Sequence, residues 1–224
     1  MLETPTEGKK YSKSHFERQM RRLEQDALRM GALVENSSWL AHTALFDRNL
    51  EAAIKIDAQD KQIDRYYRQI EIDCISLIAL QSPVARDLRL LSALMQLIRD
   101  IERIGDYAEN LGDIAIKLFP YPPSPYLGEL QVMSNRCRAM LAMSLEALAN
   151  LDENIGLQIK TKDDAVDDDY KQIYNLLAAQ KLSAGEPMEP VMLMVLAIHH
   201  LERMADHAAN VGLRVAYIVT GKLG

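Results

Sequence analysis

The sequence predicts an all-α protein, six long helices arranged as two tandem, pseudo-symmetric three-helix bundles. Three observations carry that prediction. Gly and Pro number only 10 and 8 among 224 residues and aromatics make up 6%, while Leu, Ala, Met, Glu and Arg dominate, a helix-forming composition. Apolar residues recur at alternating steps of three and four, the spacing that aligns one face of a helix. A polar stretch also occurs twice: Arg99-Asp100-Ile101-Glu102-Arg103-Ile104-Gly105-Asp106-Tyr107-Ala108-Glu109-Asn110 returns one hundred positions later as His199-His200-Leu201-Glu202-Arg203-Met204-Ala205-Asp206-His207-Ala208-Ala209-Asn210. Each half therefore carries Glu-Arg-x-x-Asp-x-Ala-x-Asn in register.

Residues 1–13 are polar and read as a disordered N-terminal tail. The first bundle spans 14–119. Its first helix begins at Ser14, an N-cap type, and runs through Phe16, Met20, Leu23, Ala27, Met30 and Val34 to about Phe46, roughly 45–50 Å at 1.5 Å per residue. Asp47-Arg48-Asn49 is a turn. The second helix, about 50–80, has a stripe at Ile56, Ile63, Tyr67, Ile70, Cys74 and Leu77, broken by Asp60 where an apolar residue belongs. Ser82-Pro83 ends it and opens the third helix, with Pro tolerated in the first turn. That third helix, through Leu90, Leu94, Leu97, Ile101, Ile104, Ala108, Leu111, Ala115 and Leu118, is expected to be the best buried.

Residues 120–125 fall in Phe119-Pro120-Tyr121-Pro122-Pro123-Ser124-Pro125, a stiff connection and the boundary between bundles. The second bundle spans 126–224. A fourth helix carries Leu130, Met133, Cys137, Met140, Leu141, Ser144, Leu148 and Leu151, ending between Asp152 and Gly156. A fifth carries Ile159, Val166, Tyr170, Ile173 and Leu177. The sixth, about 188–219, repeats the third through Met194, Ala197, Leu201, Met204, Ala208, Val211, Val215 and Ile218. The second and fifth helices match at an offset of 103, so Asp60 recurs as Asp163 and Asp64 as Asp167.

A net charge of −6 and a pI near 5.4 argue against a nucleic-acid partner, which needs a basic face, and favour cationic ligands. Cys74 and Cys137 lack metal-ligand spacing and read as small buried residues in a reducing compartment. The N-terminus has no signal-peptide pattern and no apolar run approaches the ~20 residues of a membrane span, so a cytoplasmic protein is expected.

The chemistry-bearing residues are paired carboxylates: Asp60 with Asp64, Glu102 with Asp106, Asp163 with Asp167, and Glu202 with Asp206. Residues four apart stand one turn up the same face, displaced by about 40°, so each pair is a two-pronged oxygen ligand. The pairs should flank the core and face outward or along a groove. A solvated face of ion pairs with Arg99, Arg103 and Arg203 is the plainer reading of any one pair. Four pairs at matching repeat positions favour metal, because like charges four apart cost ~0.2–0.5 kcal/mol each when nothing is bound. Oxygen ligands without Cys suit Mg, Ca, Mn or Fe better than structural zinc. A ferritin-like di-iron oxidase would need Glu-x-x-His, which is absent, and no catalytic triad or phosphate loop occurs; no enzymatic activity is expected.

Gln81-Ser82-Pro83-Val84-Ala85-Arg86-Asp87-Leu88-Arg89, the two signature copies and the ending Ala216-Tyr217-Ile218-Val219-Thr220-Gly221-Lys222 together resemble the PhoU family of phosphate-uptake regulators, over roughly 14–222. The resemblance implies multinuclear iron or zinc clusters on the Glu/Asp-x-x-x-Asp motifs, with Asp60, Asp64, Glu102, Asp106, Asp163, Asp167, Glu202 and Asp206 as ligands, in a homodimer. It implies a negative regulator coupling a phosphate ABC transporter, through its ATPase, to a membrane sensor kinase, and peripheral to the membrane only through those partners. An accessory of a low-affinity phosphate transporter is the alternative, a carboxylate-bridged oxidase a more distant one. The second half departs from the family at Glu186-Pro187-Met188-Glu189-Pro190, where the Pro-Val-Ala-x-Asp-Leu-Arg sequence is missing.

Overall fold

The computed structural model describes residues 5–222, with side chains from residue 15 onward, and the described residues form six helices and no strand. They are α1 (Pro5–Phe46), α2 (Leu50–Gln81), α3 (Ala85–Leu118), α4 (Leu127–Asn150), α5 (Glu153–Ala178) and α6 (Glu189–Thr220). The predicted stripes form the core. Ile56, Ile63, Ile70, Cys74 and Leu77 of α2 and Leu94, Leu97, Ile101, Ile104 and Leu111 of α3 are buried, each large side chain contributing ~1.5–3 kcal/mol relative to exposure. α6 buries its apolar face at least as fully as α3, so the third helix has no special rank.

Three boundaries differ from expectation. α1 starts at Pro5, inside the expected tail, and is 42 residues or roughly 63 Å long; Pro5 at the first turn lacks only an N–H that would be unpaired there, and the chain to Ser14 holds no further breaker than Gly8. Residues 1–4 of the expected tail lie outside the described residues. α3 starts at Ala85, so Pro83 stands before the helix, with Val84 as an extended cap residue that offers no side-chain bond. The α4–α5 break is confined to Leu151, in left-handed conformation, and Asp152, whose carboxylate accepts from the backbone N–H of Asn154 at 2.8 Å and Ile155 at 3.2 Å. Gly156 is therefore inside α5, where it serves packing: a Cβ there would lie 2.5 Å from the Gly212 carbonyl oxygen of α6.

α1, α2 and α3 pack on one another, as do α4, α5 and α6, and the bundles join where α3 lies against α6 and α1 against α4. Both junctions are antiparallel. His42 meets Ser134 at 2.9 Å while Gly31, earlier in α1, faces Leu145, later in α4. Asp100 meets His207 at 2.8 Å while Arg89 lies beside Gly221. Buried side chains from both halves consequently form one continuous cluster.

Candidate metal centre

Each acidic pair sits beside a core residue of its helix. Ile63 lies next to Asp64, and Ile101 next to Glu102, and both isoleucines are fully buried, so the carboxylates stand at the rim of the packed surface. Because α2 packs on α3, Asp60, Asp64, Glu102 and Asp106 share one flank of the first bundle; α5 and α6 bring Asp163, Asp167, Glu202 and Asp206 together in the second. Seven of the eight are half-buried. Asp163 differs from the expected outward placement: it is only 3% exposed, on the helix α5 that packs against α6.

The negative charges act on one another. Burial pushes the Asp60 carboxyl above its ordinary range, and Asp106, Asp64 and Asp57 push it further. Glu102 is raised by burial and then by Asp106, Asp64 and Asp60, against the pull of Arg103; Asp106 is raised by burial although Arg103 opposes it. In the second bundle burial and then Asp206 raise Glu202, and burial raises Asp206 against Arg203. Burial leads in every case and neighbouring carboxylates add to it for Asp60, Glu102 and Glu202, so the charged forms are disfavoured there unless a cation joins them.

Oxygen atoms are left over as well. Asp60 Oδ1 and Glu202 Oε2 are buried without a hydrogen-bond partner. Buried oxygens normally find a donor or an ion, so this donor set fits a hard cation. The cations present hold the aspartates aside: Arg103 reaches Asp106 at 3.0 Å and Arg203 reaches Asp206 at 2.6 Å, each one turn along the same helix. Among the described residues no three Asp, Glu, His or Cys side chains stand as a group able to hold one ion. A cation held here would require these side chains to rearrange, the aspartates giving up their arginines.

The histidines join a different device. His207 Nδ1 meets Asp100 Oδ1 at 2.8 Å, and Tyr107 packs between His200 and His207 with ring centroids 5.6 and 5.9 Å away. These side chains tie α3 to α6. His199 approaches the ligand set, 4.0 Å from Glu202, and the charge of His207 acts on Asp106. Three acidic residues that sequence reasoning passed over also belong to the first site: burial and then Asp60, Asp113 and Asp57 raise Glu109. Their signal was helical spacing, since Glu109 and Asp113 continue the Glu102-Asp106 ridge and Asp57 precedes Asp60 by three.

Comparison with known proteins is consistent over both halves. The PhoU domain model matches residues 27–115 and 130–215. The chain is 55% identical over 210 residues, 94% of its length and 93% of the relative's, to the phosphate-specific transport system accessory protein PhoU homolog of Synechocystis sp.. It is 31% identical to the homolog of Pseudomonas aeruginosa across 92% of this chain and 86% of that one. The crystal structure of PhoU from Pseudomonas aeruginosa superposes with a TM-score of 0.89 at 30% identity, covering 92% of this chain and all of that one. The phosphate transport system regulatory protein PhoU from Streptococcus pneumoniae gives 0.84 at 28% identity, over 93% of this chain and 99% of the other.

Proposed function

The chain belongs to the PhoU family, and on that premise we propose that it is a non-catalytic accessory of phosphate-specific transport that binds metal and limits phosphate-starvation signalling. The observation that carries the reading is the extent of the kinship: it runs through both bundles and includes a relative more than half identical that is named as such an accessory. In this reading the protein is a cytoplasmic homodimer that contacts the transporter ATPase and a membrane sensor kinase. No helix among the described residues is long and apolar enough to cross a membrane, so attachment falls to those partners. Exposed Ile72, Ile75, Leu80 and Val84 at the α2–α3 corner offer apolar area for self-association or docking.

The eight carboxylates would hold the metal, four in each bundle. A bound cation supplies positive charge and nothing more is required of it here. Asp60 and Asp64 would then be tied to Glu102 and Asp106 across α2 and α3, and the second set across α5 and α6, offsetting the burial and mutual repulsion that raise Asp60, Glu102 and Glu202. Deleting the gene and measuring phosphatase expression in high phosphate tests the regulatory role. Constitutive expression is the expected result; an unchanged, repressed level refutes it.

A further inference from the structure

The two acidic sites are built with opposite counter-ion arrangements. At the offset that superposes α2 on α5, Asp57 corresponds to Lys160 and Lys61 to Asp164; on α3 and α6, Glu109 corresponds to Ala209 and Asp113 to Leu213. Asp57, Glu109 and Asp113 thus place carboxylates where the second bundle has a cation or an apolar side chain, while Lys61 and Asp164 are exchanged in the opposite sense. Lys160 Nζ lies 2.8 Å from Asp163 Oδ2, and Asp163 is the most buried of the eight carboxylates.

In the first bundle Asp60, the counterpart of Asp163, forms no ion pair among the described residues, and its Oδ1 is buried without a partner, as is Glu202 Oε2 in the second. Lys61 turns away to Asp57 at 2.7 Å, with 69% and 62% of the two side chains exposed. Arg103 and Arg203 occupy equivalent places and cancel in the comparison. Other differences run the other way. Asp164, Asp168 and Asp169 of α5 stand where α2 has Lys61, Arg65 and Tyr66, but Asp164 and Asp168 are exposed and Asp169 is tied to Arg136 at 3.0 Å. Arg68 pairs with Asp64, whereas its counterpart Lys171 pairs with Asp168 and leaves Asp167. Arg68 and Asp64 are 66% and 35% exposed, so solvent screens that pair more than it screens Lys160 on a carboxylate 5% exposed.

Resting on the metal-binding reading above, we propose that the sites are inequivalent: the first bundle binds a divalent cation more tightly, and Lys160 is a tethered counter-cation that an incoming ion must displace from the second. Lys160 is 58% exposed, so its ammonium has open solvent to swing into when displaced.

Calorimetric titration of chelator-treated full-length protein with Zn2+, and separately with Mn2+, tests this. Two classes of site are expected, with Asp60→Asn abolishing the tighter class. Lys160→Met should tighten the weaker class roughly three- to tenfold, and Asp57→Lys should weaken the tighter class by a similar factor. Both substitutions lie on exposed positions, and circular dichroism checks that the helices remain. A weaker class unmoved by Lys160→Met, or a tighter class that survives Asp60→Asn, overturns the inequivalence while leaving metal binding intact. Absence of any bound ion in the unaltered protein removes the metal reading and this inference together.

Discussion

Replacing Gly156 by Ala probes how the second site is held. The added Cβ would sit 2.5 Å from the Gly212 carbonyl oxygen, against 3.4 Å where ordinary contact begins, and the obstructing atom is backbone. α5 must move away from α6 as a unit. Overpacking costs ~1–3 kcal/mol, and a backbone obstruction that cannot rotate aside puts this case in the upper part, ~2–3 kcal/mol, offset by about 1 kcal/mol of helix propensity that Ala recovers over Gly. A net loss of about 1–2 kcal/mol should lower Tm by roughly 2–8 °C in a chain of this size. The internal control is Gly112, the counterpart of Gly212. It faces Ala53 where Gly212 faces Gly156, and its Cβ would meet the flexible Ile56 Cδ1 at 2.9 Å, with the Ala53 backbone 3.7 Å away. Gly112→Ala should stay within about 1 kcal/mol of the parent, because a rotating methyl end absorbs the contact. Thermal unfolding of both variants, metal-free, decides it. A Gly156→Ala protein as stable as its parent, or a Gly112→Ala protein damaged equally, refutes the close backbone approach.

Two further outcomes follow from buried titratable groups. Glu102 has a raised folded-state pKa, chiefly from burial and then from Asp106, so its contribution to stability is complete below the ordinary carboxylate range and is lost as pH rises through the raised value. Metal-free Glu102→Gln protein should therefore match the parent near pH 4 and melt higher than it at pH 7; a variant that melts lower at pH 7 contradicts the repulsion. Burial pushes the Cys74 thiol up to about 12 and raises Cys137 as well, and Cys137 Sγ donates to the Leu201 carbonyl at 3.2 Å. Neither should react with an aromatic disulfide reagent at pH 8 until denaturant is added, and rapid labelling of native protein would contradict their burial.

Periodicity read the helices well because burial follows it directly: every stripe residue of α3 between Leu94 and Ala115 lies inside. The start of α1 was missed because no apolar stripe marks residues 5–13, so periodicity carries no helix signal there. The eight carboxylates were visible as a repeat of polar spacing. Their unequal surroundings were not, because Asp163 is buried by a neighbouring helix that a single-helix projection does not contain. The bond from His207 to Asp100 was out of reach for the same reason: the residues are 107 positions apart and meet only through antiparallel pairing of α3 with α6.

That junction also settles which halves belong together. Exchange of the two repeats maps the Asp100–His207 contact onto the His200–Tyr107 contact, so the seam is geometrically symmetric and chemically lopsided. A seam between two first halves would set carboxylate against phenol at both positions, and one between two second halves would set imidazole against imidazole. Only the pairing of unlike halves provides a carboxylate for an imidazole. The seam thereby discriminates against pairing of like halves, a discrimination that two identical copies would lack.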